Sequence, residues 1–107
     1  MERIANLTDT VRREVADYHG PALKATTYYF EDMKNQVFTV VIIPEYDYPR
    51  KSWSGIVVLA RVVDDVVIID EDTTDRPLWK ELVAAGIPRE KIILTYAGET
   101  APSESQP

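Results

Sequence analysis

Residues 55–70 read GIVVLARVVDDVVIID, two runs rich in Val and Ile that are separated by two aspartates. Val and Ile are enriched in strands, and a two-residue link joins neighbouring strands of a hairpin. Asp side chains tolerate the positive φ angle that such tight turns require, which suits Asp64 and Asp65 to the link. The stretch therefore predicts two antiparallel strands, over residues 55–63 and 66–70.

These two strands are apolar at nearly every position. A strand that faces the core on one side and water on the other alternates apolar and polar residues, so a continuous run predicts cover on both faces or burial at an interface. Only two helices are predicted elsewhere in the chain. We therefore expect one face of the sheet to be short of cover and the protein to form a homodimer.

The segments before this hairpin predict a helix and a further hairpin. Leu7, Val11 and Val15 recur at helical spacing, and His19-Gly20-Pro21 follows as a stop, so we predict a helix over residues 3–18. KATTYYFE (24–31) and QVFTVVII (36–43) are rich in β-branched and aromatic residues and are separated by turn residues 32–35. They predict the first two strands.

The segments after the hairpin predict a second helix and a short last strand. Residues 73–77 (TTDRP) contain helix-capping side chains and a proline, Leu78 begins the apolar face of the helix, and Gly86 closes it. Residues 92–94 (IIL) predict the last strand. The fold class is thus α+β: an antiparallel sheet of about four strands with an N-terminal and a C-terminal helix, in one domain over residues 1–96. Residues 97–107 are polar and predict a disordered tail.

The composition bounds the function. The chain has 107 residues, no cysteine and one histidine, so neither a thiolate nucleophile nor a histidine-based zinc site is expected. Its four glycines are isolated, which argues against a phosphate-binding loop. No apolar run approaches the roughly 20 residues of a membrane span, and the N-terminus lacks the apolar segment of a signal peptide. We expect a cytoplasmic protein that is not an enzyme and has no cofactor, metal site or catalytic residue.

The charge distribution disfavours direct binding to DNA. The formal net charge is -6, and residues 62–75 contain six acidic residues and no Lys or Arg. Affinity for DNA comes mainly from clustered cations, so we expect DNA to be contacted only indirectly, although a DNA-binding factor stays open as an alternative. A metal-dependent hydrolase that uses Asp70, Asp72 and Asp75 is the second alternative. Carboxylates at the start of a helix are also favoured by its free amides, without any metal.

Residues 61–94 resemble the C-terminal half of the fdxN element excision controlling factor XisI family. The resemblance rests on an acidic-Thr corner at Asp72 and Thr73, a helix ending ELVAAGIP with Gly86, Ile87 and Pro88, and the exit REKIIL. It implies a small α+β accessory factor in programmed DNA excision, encoded beside a nuclease-like partner called XisH. It brings no catalytic residues, and we interpret its motif residues as structural.

The loop EYDYPRKSWSG (45–55) departs from this family, which often has a short Gly-Trp link there. Tyr, Trp and Arg are enriched at the energetic centres of protein interfaces. The loop's two acids balance its two cations, which suits a protein partner better than nucleic acid. An ordinary loop with Trp53 packed onto the domain stays open. The candidate partner-binding residues are Tyr46, Tyr48, Arg50, Lys51 and Trp53.

Overall fold

The structure is a computed structural model, and it describes residues 3–45, 49 and 51–100. Within these residues, two α-helices and five strands follow each other, with two short 3₁₀ turns near residue 100. Their bounds are α1 Arg3–Ala16, β1 Ala25–Asp32, β2 Val37–Pro44, β3 Gly55–Val63, β4 Val66–Asp72, α2 Leu78–Ala84 and β5 Ile92–Leu94, with 3₁₀ turns at Arg89–Lys91 and Thr95–Ala97. The α+β fold class predicted from the sequence is confirmed.

Helix α1 ends two residues before its predicted end. The amide of Tyr18 donates to the carbonyl of Val15, and that of His19 donates to Ala16, so the last turn tightens to a three-residue spacing. Tyr18 nevertheless stays on the apolar face of the helix and packs against the core with Leu7. The apolar stripe therefore continues past the last α-helical residue.

The strands lie side by side in the order in which they occur in the chain, β1-β2-β3-β4-β5. The first four strands pair antiparallel, as expected for strands that are joined by short links. Strand β5 pairs parallel with β4, because helix α2 carries the chain back across the sheet between them. The short last strand is therefore a fifth member of one mixed sheet.

Turn residues set the register of both hairpins. Asp64 has a φ of 56°, the conformation expected for the link between β3 and β4. In the turn between β1 and β2, the Asp32 carboxylate accepts hydrogen bonds from the backbone amide and the side-chain amide of Asn35 at 3.1 and 2.7 Å. Gln36 then has a φ of 55° before β2 begins. Both turns were located correctly from the sequence.

Both helices cover the same face of the sheet. Helix α1 contacts β2, β3 and α2, and its Val11 and Val15 are fully buried. The core between helices and sheet also contains Phe38 and Val40 of β2, Val58, Ala60 and Val62 of β3, Val67 and Ile69 of β4, and Leu78 and Leu82 of α2. The apolar runs of β2 and β3 are thus fully covered on one face only.

Two β-bulges interrupt the pairing. One lies between Val40 and Val41 where β2 meets β3, and the other lies between Leu59 and Ala60 where β3 meets β4. An extra residue on one strand increases the local twist. On β4 this extra residue is Asp70, and β4 extends two residues beyond its predicted end, to Asp72.

Glu99, which belongs to the segment predicted as a tail, bonds to the domain. The amide of Glu99 donates to the carbonyl of Leu94, and the Glu99 carboxylate accepts the Leu94 amide at 2.8 Å. Residues 101–107, the rest of the predicted tail, lie outside the described residues. No helix among residues 3–45 and 51–100 is long and apolar enough to cross a membrane.

Candidate functional site

The loop between β2 and β3 lies at one end of the sheet, and part of it is described. Of its five candidate partner-binding residues, Tyr46, Tyr48 and Arg50 lie outside the described residues. Trp53 is 70% exposed and Lys51 is also exposed, so most of the indole surface is accessible. A large, mostly exposed indole beside a cation is a feature of surfaces that bind proteins.

The sheet surface opposite the helices is apolar and only partly covered. Residues that pair across antiparallel strands share a face, so the register places Tyr28 opposite Val41, and Val41 opposite Ile56. Within the described part of the chain, both helices lie on the other side. We call this surface the open sheet face and define it by its apolar residues; Thr39 and Arg61 lie beside them on the same side. These apolar residues are Tyr28, Phe30, Val41, Ile43, Ile56 and Leu59.

Four members of the open sheet face are substantially exposed. Phe30 is 55% exposed, Tyr28 45%, Ile43 44% and Ile56 39%. The rings of Tyr28 and Phe30 lie 6.5 Å apart at 34°, a tilted arrangement that leaves both available to a further apolar surface. No sequence pattern singles these residues out individually. Only the apolar character of strands that outnumber the helices pointed towards them.

A shallow groove lies between α1 and β1, with a volume of about 390 Å³. Its polar groups already bond to one another: the Glu31 carboxylate accepts hydrogen bonds from Arg12 at 2.9 Å and from the Tyr29 hydroxyl at 2.8 Å. Burial and the Glu31 carboxylate both raise the pKa of Tyr29, so its hydroxyl stays protonated and donates. The polar groups of the groove thus join helix α1 to the edge strand β1.

The acidic corner caps helix α2. The first turn of a helix has unpaired amides, and Pro77 at its start has no side-chain acceptor. Asp72 supplies the acceptor from the end of β4: its Oδ2 accepts the Leu78 amide at 2.7 Å, and its Oδ1 accepts the Thr74 amide and hydroxyl at 2.9 and 2.7 Å. Thr73 donates its amide to Val57 of β3 at 2.9 Å. Asp72 thus caps the start of α2, and Thr73 joins the end of β4 to β3.

Asp70 faces a different set of partners from Asp72. Arg61 Nε donates to Asp70 Oδ2 at 2.6 Å, and the Thr95 hydroxyl donates to Oδ1 at 2.5 Å. Partial burial alone would raise the pKa of Asp70, but these hydrogen bonds and the charge of Arg61 outweigh it and lower the pKa. Among the described residues, no three acidic or histidine side chains are grouped so as to hold a metal ion.

Gly86, Ile87 and Pro88 close helix α2. Gly86 has a φ of 108°, its amide donates to the carbonyl of Val83, and the Ile87 amide donates to that of Leu82. This pair of hydrogen bonds is the Schellman arrangement, in which a left-handed residue, usually glycine, satisfies the last carbonyls of a helix. Ile87 and Leu82 are both buried in the core. The sharpest sequence motif of the chain is therefore explained by helix termination.

Most of the cations after residue 75 are paired with carboxylates. Arg76 lies 3.4 Å from Asp17 and 3.6 Å from Glu81, Arg89 lies 2.9 Å from Glu99, and Lys91 lies 2.7 Å from Asp65. Arg76 also stacks on the Tyr18 ring at 4.2 Å, and the Tyr18 hydroxyl donates to the Arg76 carbonyl. These ion pairs thus join different elements of the fold.

A protein-family profile matches nearly the whole chain. The profile described as "XisI protein" covers residues 1–104. A search among curated proteins finds no match.

Two solved structures share the fold. A XisI-like protein from Anabaena variabilis superposes with a TM-score of 0.75 at 20% identity, over 94% of this chain and 91% of that one. The fdxN element excision controlling factor XisI from the same organism superposes with a TM-score of 0.72 at 18% identity, over 97% of this chain and 99% of that one. The similarity extends over nearly the whole length of both proteins.

Proposed function

Because the chain belongs to the XisI family, whose profile spans residues 1–104, we propose that it controls the excision of a DNA element without catalysing a reaction itself. One structural relative is named as an excision controlling factor, which supports the role by family membership. In this proposal the chain acts by binding a protein partner, a XisH-like protein encoded beside it. Recombination chemistry belongs to another protein.

The exposure of Trp53 is the observation that carries the proposal. An indole that is 70% exposed leaves much apolar surface in water, and burying such a surface against a partner is a main source of binding energy. Lys51 adds an exposed cation two residues away. By contrast, the two carboxylates that were candidates for a metal site are already hydrogen-bonded. Asp70 accepts from Arg61 and Thr95, and Asp72 accepts from the first turn of α2.

Binding of the purified XisH-like protein to this chain tests the proposal. We expect Trp53→Ala to weaken the complex at least about tenfold in calorimetry, since central aromatic residues dominate interface energies. Arg50→Ala tests the same loop. Met33→Ala is the matched control, because Met33 is 48% exposed and lies in the turn between β1 and β2, at the opposite end of β2.

Two results would contradict the proposal. One is wild-type affinity in the Trp53→Ala variant, which would move the binding site away from the loop. The other is the absence of any complex between the two full-length wild-type proteins at micromolar concentration. An equal loss in Met33→Ala would indicate a general effect on the fold, so each variant is first compared with the wild type by circular dichroism.

A further inference from the structure

We propose that the open sheet face binds a second copy of this chain, so that two sheets pack face to face in a two-fold dimer. The inference goes beyond the proposed role in excision and does not depend on it. Helices α1 and α2 pack on one face of the sheet, and no element in the described part of the chain packs across β1, β2 and β3 on the other.

The area of the open sheet face fits the centre of a protein interface. Its four most exposed side chains are each between 39% and 55% exposed. Two of these side chains are aromatic, and an aromatic side chain presents about 150–250 Å² when fully exposed; with the two isoleucines, the four offer roughly 300–400 Å² of apolar surface. A standard interface buries about 800 Å² on each partner, with an apolar centre and a polar rim. The four side chains thus supply up to about half of that area, as its apolar centre.

Its shape and charge favour a second copy over other occupants. Two sheets of the same twist pack face to face with their strands nearly aligned, and two copies of one sheet have the same twist. A two-fold contact places a surface against itself, so charges on it would face like charges. The six residues that define the open sheet face carry none, and Arg61, which lies beside them on the same side of the sheet, is already paired with Asp70 at 2.6 Å.

The polar tail does not match this surface. Residues 101–107 read APSESQP, with one alanine as the only aliphatic side chain outside the prolines. Burying half-exposed aromatic rings requires apolar surface on the other side. The tail lacks that surface, whereas a second open sheet face provides it.

The mass of the full-length protein in solution is the first test. Sedimentation at micromolar concentration should give twice the 12.2 kDa of one chain. Phe30→Lys and Ile43→Lys should each raise the dimer dissociation constant at least about tenfold, because a buried unpaired charge opposes the contact. Either substitution lowers the net negative charge, so added repulsion between whole molecules does not explain dissociation. Val83→Lys, at a 38% exposed position on α2, should leave the dimer intact.

Chemical labelling tests the location of the contact without relying on disruptive variants. The chain has no cysteine, so Ile43→Cys and Val83→Cys each introduce one thiol. The rate of maleimide labelling at position 43 should fall as protein concentration rises through the dimerisation range, while the rate at position 83 should stay constant. Equal rates at all concentrations for position 43 would overturn the proposal, as would a wild-type monomer.

Salt distinguishes a second copy from an oppositely charged partner. Two chains of net charge -6 repel each other at long range, and salt screens that repulsion. Dimerisation should therefore hold or strengthen between about 0.05 and 0.5 M NaCl, whereas a complex with a basic partner would weaken. Wild-type protein that is monomeric alone, but loses XisH-like binding in Ile43→Lys, would reassign the open sheet face to that partner.

Discussion

Asp72 shows how a carboxylate that the sequence offers as a metal ligand can instead stabilise the fold. Its position in an acidic cluster is compatible with a metal ligand or a helix cap. The structure distinguishes these roles through the direction of its oxygens, which accept the amides of Leu78 and Thr74. The capping interaction joins residues six positions apart, across Pro77, so no short capping motif in the sequence identifies the partner.

The structural role of Asp72 makes a quantitative prediction. Asp72→Ala should lower the free energy of unfolding by about 1–2 kcal/mol, because the first turn of α2 loses its acceptor. Asp72→Asn, which keeps one acceptor oxygen, should lose less. Asp75→Ala is the control, since it removes the same charge from an exposed neighbouring position. Urea unfolding followed by circular dichroism measures all three, and equal stability of the Asp72→Ala and Asp75→Ala variants would refute the cap.

The elements of this protein are more predictable than the contacts between them. Strand positions follow from β-branched runs, and the end of α2 follows from Gly86 because the chain there needs a left-handed residue. Neither bulge has a glycine or proline at its site, so local sequence gave no indication of them. The sequence predicts only that one face of the sheet lacks helices over it. It does not identify the residues of that face, because periodicity does not reveal on which face the helices pack.

Asp70 links three segments and should make the free energy of unfolding depend on pH in the acid range. It joins β3 through Arg61 and the residues after β5 through Thr95. Its pKa is lowered in the folded protein from a usual value of 3.8, so the charged form favours folding. That contribution is fully present above pH 3.8 and is lost as pH falls through the folded pKa.

The comparison of wild type with Asp70→Asn isolates this effect. The variant should be less stable at neutral pH, and the difference in unfolding free energy should shrink as pH falls below about 4. Arg12→Gln is the control, because the Arg12–Glu31 pair is more exposed and solvent weakens it. A difference between wild type and Asp70→Asn that stays constant from neutral to acid pH would contradict this explanation.

At the scale of the whole molecule, charge separates a protein-binding factor from a DNA-binding one. The net charge is -6, and Arg12, Arg61, Arg76, Arg89 and Lys91 are each within 4 Å of a carboxylate. Paired cations release few counterions from DNA, so the main source of non-specific affinity is weak. The composition already predicts weak binding to DNA, and the structure adds that these cations are paired with carboxylates.

Direct binding to duplex DNA should therefore be negligible for the purified chain. In a mobility-shift experiment at low ionic strength, where electrostatic binding is strongest, we expect no shift at micromolar protein. The XisH-like complex is tested beside it, since a partner can supply the missing cations. A salt-sensitive shift by this chain alone would favour the DNA-binding alternative.

The agreement between strand order and chain order also has a kinetic consequence. Each of the first four strands finds its neighbour directly along the chain, so the loops that must close are short and their entropic cost is small. Only β5 returns over a longer distance, after α2. Low contact order speeds folding, and we infer that the four-strand meander assembles early and the parallel edge docks last.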